Sequence, residues 1–528
     1  MPVRHSLKLA GVLLAWSAFA AAQVQEVPPA PRFDIQRFNV DGNTLLPQAE
    51  VDSMVAPFAG KSRDFGDVQR ALEALSDAYI ARGYSAVRVL IPEQDLRAGE
   101  VRIQVIEARL REIRVEGNRY FGEANVRASL PTLKVGESPN TRQMSENLQL
   151  LNENPAKQAT VLLEPTDAPG VTDAVIKVTD DVAQRLSVSL DNTGTPKTGS
   201  LRAGFGYLNA NAFNRDHVFT AQYLTAPANV NNVKILAAAY RAPVYEWNGV
   251  FDLLAAYSDV NSGTISLAGS SLAVSGSGTI LGARYTQILR HIDAYEQKLT
   301  VGLDYKAFKQ NLVPVGGGPN LLSDVTVHPV LLTYTGRLSK VGTDITGVVS
   351  HVRNLPGGSD GTQEAFTLAR PGVPSTYRLW RFAGAWSELL PKEYLARLAF
   401  NAQYTRDPLI PGEQFGMGGQ DSVRGFYERE AANDRGFRIS GEIYTPDFGT
   451  RIGADWRARA LAFVEAAHGA DRNPVRATEG NLSSVGVGLR ANLGKSLSAR
   501  ADFAQVLHQS LARPDNRNRA HLGLINSF

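Results

Sequence analysis

Few of this chain's reactive side chains are grouped as chemistry would require. Its 528 residues include no cysteine, which removes disulfides, zinc–thiolate sites and a thiol nucleophile. His217, His291, His328, His351, His468, His508 and His521 are scattered, with no pair at metal-ligand spacing. Asp and Glu are plentiful but unclustered. Ser422 lies beside glycines without the strand–turn–helix context of a nucleophile elbow. No phosphate-binding loop is present. The pattern predicts no enzyme and no cofactor. One segment stands apart, Gly418-Gly419-Gln420-Asp421-Ser422-Val423-Arg424-Gly425-Phe426-Tyr427. Its glycines permit tight backbone turns on both sides of Arg424. A guanidinium held on such a bend suits bidentate pairing with a carboxylate in a shielded place.

The elements that must position Arg424 are strands. No run of about 18 apolar residues occurs beyond the N-terminus, which excludes membrane-spanning helices. From Arg185 onward, however, segments of about 10 residues alternate apolar and polar side chains between turns, the pattern of a transmembrane β-barrel. The predicted spans are 185–193, 199–208, 215–225, 233–243, 247–259, 276–288, 295–308, 326–337, 340–353, 376–388, 393–405, 438–447, 457–469, 482–493, 497–508 and 519–528. In the seventh, Leu299, Val301, Leu303 and Tyr305 oppose Lys298, Thr300, Asp304 and Lys306. In the fifteenth, Leu497, Ala499, Ala501 and Phe503 oppose Ser498, Arg500 and Asp502. Charges recurring on one face imply a polar lumen. Links after even strands are short, whereas 260–275, 309–325, 354–375 and 406–437 follow odd strands. Short periplasmic turns and long outer loops are the rule for such barrels, so 406–437, which carries Arg424, is the sixth outer loop. Loops this long are seldom idle.

The front of the chain differs. Arg4, His5 and Lys8, then Leu9 to Phe19, then Ala20-Ala21-Ala22 read as a secretory signal over residues 1–22. A proline-containing linker, 23–32, follows. Two units of similar layout, 33–108 and 109–181, come next. Each opens on an alternating strand that ends in Gly-Asn: Phe33 to Asn43, and Leu110 to Asn118. The self-similarity recurs at about 75 residues. In the first unit Phe65, Val68, Leu72, Leu75 and Tyr79 share one helix face, with Asp64 able to cap its start and Gly83 its end. Strands 85–90 and 100–106 follow. The second unit repeats the order with helix 141–151 and strands 158–163 and 172–178. The net charge of +3 favours neither nucleic acid nor an acidic substrate.

The layout of the two units resembles the POTRA domain, the polypeptide-transport-associated module of outer-membrane assembly and secretion proteins. Val423-Arg424-Gly425-Phe426 resembles the sixth-loop motif of the translocators of two-partner secretion (TpsB type), the haemolysin/haemagglutinin secretion-activation family. The resemblance covers nearly the whole chain. It implies that the loop folds back into the lumen and that its Arg meets an acid of a Phe-x-Asp-x-Gly motif on the thirteenth strand. Here that strand reads Phe463-Val464-Glu465-Ala466-Ala467-His468-Gly469, so Phe463 and Glu465 correspond. The acid is Glu rather than Asp, and Gly469 is displaced from the pattern. Phe528 on the last strand resembles the aromatic end that marks a barrel for insertion, although Asn526 interrupts the apolar face. Many relatives carry a barrel-plugging helix before the first POTRA domain. Residues 23–32 reach at most about 35 Å and have no helical period, so loop six is expected to be the main occupant.

The resulting expectation is an all-β, 16-stranded transmembrane antiparallel β-barrel, 185–528, preceded by two small α+β POTRA domains. It would sit in the bacterial outer membrane with the POTRA domains in the periplasm. Its job would be to recognise an unfolded, large, β-helical exoprotein and export it. Its other partners would be outer-membrane lipid and, during biogenesis, the barrel assembly machinery. The alternative is an insertase for other outer-membrane proteins, a role disfavoured by only two POTRA units.

Overall fold

The computed structural model describes residues 31–528 apart from 96–98, 196–197, 232, 260–263, 268–269, 274–276, 310–322, 474–477 and 509–517. The expected signal, most of the linker 23–32, and much of loops 260–275 and 309–325 lie outside the described residues.

The first POTRA unit places helices α1 (Gln48–Val55) and α2 (Phe65–Ala81) over a sheet ordered Arg37–Asp41, Glu100–Ile106, Arg88–Leu90. The outer pairing 37–41 with 100–106 is parallel. Asp64 accepts from the Asp67 amide and Asp67 from the Asp64 amide, a reciprocal cap that starts α2. Its buried stripe is Val68, Ala71, Leu75 and Tyr79. Phe65 is more than half exposed, because the first turn precedes the stretch of α2 that packs on the sheet. The Gly-Asn turn has a definite cause. Gly42 has φ +85°, and a Cβ there would meet the Val105 carbonyl oxygen at 2.3 Å. The Asn43 side chain donates to the Leu46 carbonyl at 2.9 Å.

The second POTRA unit repeats this layout and its Gly-Asn turn. Helices α3 (Glu123–Ala128) and α4 (Thr141–Asn152) cover strands Arg109–Glu116, Val171–Asp180 and Lys157–Pro165. A Cβ at Gly117 (φ +84°) would meet the Val178 carbonyl oxygen at 2.4 Å, and Asn118 donates to the Phe121 carbonyl at 2.9 Å. The sequence repeat is therefore a repeated close approach of turn to central strand, which excludes any Cβ.

Sixteen strands close into a barrel among the described residues. They are β1 (Gln184–Asp191), β2 (Arg202–Ala212), β3 (His217–Thr225), β4 (Lys234–Val244), β5 (Gly249–Ser258), β6 (Ser277–Ile292), β7 (Tyr295–Lys309) and β8 (Val325–Val327 and Pro329–Lys340). Then follow β9 (Thr343–Asn354), β10 (Arg378–Leu389), β11 (Leu395–Thr405), β12 (Arg435–Tyr444), β13 (Trp456–Ala470), β14 (Glu479–Leu493), β15 (Leu497–His508) and β16 (Asn518–Ser527). The break in β8 falls beside Pro329, which cannot donate to the ladder. Proline also accounts for a displaced boundary: β12 ends at Tyr444, before Thr445-Pro446, and runs 435–444 rather than 438–447. Closure pairs Gly523 with Asp191 through Ser527 with Ser187. Phe528 extends that seam by exchanging backbone hydrogen bonds with Leu186 at 2.8 and 3.3 Å. Leu186, Phe205, Leu303, Trp380 and Phe503 all point outward and exposed, as a lipid-facing surface requires.

The second POTRA unit is packed into the barrel's periplasmic rim. Its core residues Phe121, Leu130, Leu150 and Leu151 run into Ala210, Tyr245, Val250 and Ile288 of the barrel without a break. At the centre Lys157 pairs with Asp216 of the first periplasmic turn at 2.5 Å, both side chains fully buried. The remaining ammonium donors go to Asn125 and Ser129 at 3.0 and 3.2 Å. Ser129 and Tyr245 hydroxyls donate to the same Asp216 oxygen. Asn147 and Asn154 donate to the carbonyls of Tyr245 and Ala210.

Candidate functional site

Loop six, between β11 and β12, turns back into the lumen. A two-stranded ribbon, Phe415–Met417 with Ala431–Asn433, carries it down. Gly418, Gly419 and Gly425 all have positive φ. At Gly425 a Cβ would come within 3.0 Å of Val506 on β15, and its amide donates to His521 of β16 at 2.9 Å. The tip can lie flat against the wall only as glycine. Val423 and Phe426 are buried with Met417 among Ala467, Leu482 and Val506 of β13, β14 and β15. These two apolar anchors fix the guanidinium of Arg424 between them.

Arg424 is 3% exposed and meets three carboxylates. Its amide donates to Glu465 Oε2 at 2.6 Å, while Nε and Nη2 donate to Oε1 at 3.0 and 2.6 Å. Nη2 also reaches Glu442 Oε1 at 2.5 Å, and Nη1 reaches Asp502 Oδ1 at 3.1 Å. The guanidinium carbon stands 3.5 Å from the Phe463 ring centroid, a cation–π contact. Burial disfavours the charged guanidinium, but Glu465, Glu442 and Asp502 outweigh it and hold Arg424 protonated more firmly than an ordinary arginine. Nearer the tip, Glu428 accepts from the Gln420 amide at 2.7 Å, and burial raises its carboxyl to about 7.

The expected residues Val423, Arg424, Gly425, Phe426, Phe463 and Glu465 are thus assembled in one place. Phe528 is elsewhere, at the periplasmic end of the closing seam. Gly469 lies not at the ion cluster but under the ribbon, where a Cβ would meet Met417 and Asn433. Four wall positions were not anticipated: Glu442, Asp502, His521 and Ser440, whose hydroxyl donates to Glu465 at 3.1 Å. A signal for one of them, Asp502, and for the room that Phe463 needs exists in Gly486-Val487-Gly488 on β14. A Cβ at Gly486 would strike the Phe463 ring at 2.4 Å, and one at Gly488 would strike Asp502 at 2.1 Å. Paired lumen-face glycines mark the space the cluster needs.

Loop six is not alone in the lumen. Between β9 and β10 a short helix, α5 (Gln363–Ala369), enters the outer mouth. Phe366, Val373 and Tyr377 pack on Phe308, Val352 and Leu379 of the inner wall and on Leu409 and Ile410 at the start of loop six. Arg370 pairs with fully buried Asp434 at the end of loop six. Asp434 also accepts from the amides of Leu409 and Arg472 at 3.0 and 2.7 Å.

A closed sixteen-stranded barrel, POTRA domains before it and a long loop latched inside the lumen define an outer-membrane translocator of the POTRA–barrel class. Residues 170–491 match the model of the haemolysin secretion/activation protein family ShlB/FhaC/HecB, and 33–108 match the ShlB-type POTRA domain. The chain belongs to that family. It is 25% identical over 433 residues to the outer membrane transporter CdiB of Escherichia coli O6:K15:H31, across 78% of this chain and 69% of the relative. It is 23% identical over 512 residues to the heme/hemopexin transporter protein HuxB of Haemophilus influenzae, across 91% and 84%. The solved structure of CdiB from Escherichia coli has the same fold, with TM-score 0.76, 20% identity and coverage of 97% and 93%. That of CdiB from Acinetobacter baumannii gives 0.70, 16%, 95% and 91%. The protein is an outer-membrane translocator of two-partner secretion, with its POTRA domains in the periplasm and a secreted protein as its partner.

Proposed function

We propose that loop six, latched through Arg424, is the gate of the export path. The exported partner is a large β-helical protein that arrives unfolded after both proteins have crossed the inner membrane on secretory signals. Outer POTRA strands such as Arg88–Leu90 pair with one neighbour each among the described residues. An extended client can add to an edge of that kind by β-augmentation. From there it threads the lumen past loop six and folds outside. That folding supplies the direction of transport, because the periplasm offers no nucleotide and the process involves no catalysis. Outer-membrane lipid surrounds the barrel, and the barrel assembly machinery inserts it, reading the strand that ends in Phe528.

The observation that carries this reading is the burial of Arg424 against Glu465 on the lumen wall. A loop that only decorated the surface would need no such anchor. Arg424→Ala is expected to insert as a barrel yet lose export of the partner. Export at the native level would overturn the gate. Removing residues 33–181 should leave a conducting barrel that no longer selects its client.

A further inference from the structure

Loop six covers the lumen wall made by β12 to β16 and reaches β7 and β10 through Glu413, but it leaves much of the opposite side uncovered. There a cavity of about 980 Å³ runs along β1 to β10. Its wall carries a cross-strand row of hydroxyls in register, Thr286, Thr300, Thr333 and Ser350. Its charged lining is five cations, Arg185, Arg241, Arg284, Lys298 and Arg381, against two carboxylates, Glu153 and Asp252. Three of those cations hold acids of the barrel, its approach or its loops: Arg185 with Asp181, Arg284 with Asp304, and Arg381 with Glu413.

Arg241 and Lys298 are different. They converge from β4 and β7 on the two oxygens of one carboxylate, that of Glu153. Glu153 does not belong to the barrel. It is the residue that ends α4 of the second POTRA unit. An acid at a helix C-terminus is opposed by the helix dipole, so its own helix gives it no reason to be there. The two lumen cations supply that reason. Arg241 keeps a second acid, Asp252, at 3.5 Å. Lys298 has no other ion partner among the described residues.

We propose that Arg241 and Lys298 form a carboxylate-binding site at the periplasmic foot of the export path, occupied at rest by Glu153 and taken over in transit by acidic side chains of the client. This rests on the lumen being that path. The Lys157–Asp216 network holds the second POTRA unit in place, so the exchange needs only a rotation of the Glu153 side chain. A client carboxylate then replaces one that was already desolvated, and the site discharges it when Glu153 returns. Such a site grips weakly and repeatedly, as a conduit for an extended chain must.

The absence of cysteine makes a direct test possible. Thr300, which shares the lumen face of β7 with Lys298, is replaced as Thr300→Cys in the full-length protein. The thiol is then labelled with a sulfonate-bearing or a trimethylammonium-bearing methanethiosulfonate. Adding Glu153→Gln should raise the ratio of anionic to cationic labelling rates about tenfold, since freed cations concentrate anions locally. An oligoglutamate peptide should then protect the thiol at lower concentration than before, and an oligoglutamine of equal length should not. Arg241→Gln with Lys298→Gln should remove both effects. Equal rate ratios with and without Glu153→Gln, or equal protection by the two peptides, would overturn the site. Labelling as expected together with undiminished secretion by the Arg241→Gln/Lys298→Gln protein would overturn its part in export and leave the gate at Arg424 untouched.

Discussion

Lys157 and Arg424 are both buried cations that join distant parts of this chain, yet they are built to different plans. Lys157 faces one carboxylate and otherwise neutral partners, with the Phe121 ring 5.0 Å away. Its charge is matched, and an apolar core surrounds it. Burial pushes its ammonium below the ordinary lysine range, and Asp216 pulls it part of the way back. Arg424 faces three carboxylates, one of which, Asp502, also pairs with Arg490 at 2.9 Å. Within the ion-paired groups three acids thus face two guanidiniums, and the cluster borders a cavity of about 430 Å³ that Arg438 and Arg397 also line. The difference teaches which joint is fixed and which can release. Water and Arg490 can take over the wall acids when the loop leaves. Asp216 has no second ion pair among the described residues.

Breaking the fixed joint should therefore cost most. Lys157→Met leaves Asp216 charged and buried, a loss of about 3–5 kcal/mol for an orphaned ion partner. The denaturant midpoint of the purified protein reads this. Adding Asp216→Leu should restore most of the loss, and a neutral single variant would erase the contrast drawn above. Arg424→Lys comes next. A lysine keeps the charge but cannot fork between Glu465, Glu442 and Asp502. The lost charge-assisted bonds weaken the latch by roughly 1.5–3 kcal/mol, and export should fall but stay above that of Arg424→Ala. Smaller still is Glu442→Gln. It removes one charge while the amide oxygen can still accept from Arg424 and Glu465 and Asp502 remain, so stability should change by about 1 kcal/mol. A large loss there would mean that all three acids are structurally required.

Much of this contrast was written in local pattern, and part of it was not. Alternation located the strands because lipid outside and water inside demand opposite side chains at successive positions. Loop lengths then fixed which way the barrel points and put Arg424 in the lumen-bound loop. Glu465 was legible only through its resemblance to a motif. Glu442, Asp502 and His521 were not, since β12, β15 and β16 each carry several lumen-face polar groups and only the cross-strand register selects among them. Helix α5 escaped because seven residues between Gly- and Pro-rich turns show no helical period. Its core is completed by Phe308 and Leu409, far away in sequence. The Lys157–Asp216 joint left no trace in either neighbourhood. A lysine at a strand start and an aspartate in a turn are ordinary surface residues until two modules close on them.

The least of the expected effects tests whether the latch yields to solvent conditions. Glu428 lies in loop six, outside the spanning strands, and its carboxyl is raised to about 7 by burial. Released into water it would titrate near 4.5. Between those values the docked loop binds a proton that the released loop does not. Docking is therefore strongest at the acid end of that window and weakens as pH rises through about 7. The opposite slope would require a carboxyl lowered by a cation, and Arg500 is outweighed here by burial and by Asp421. A spin label at Ser422→Cys reports loop mobility. Its mobile fraction should grow several-fold between about pH 6 and about pH 8, and Glu428→Gln should flatten that rise while leaving Arg424 and its three acids in place. A rise that persists in Glu428→Gln would move the pH sensitivity to the wall itself and make the two buried joints more alike than their charge counts suggest.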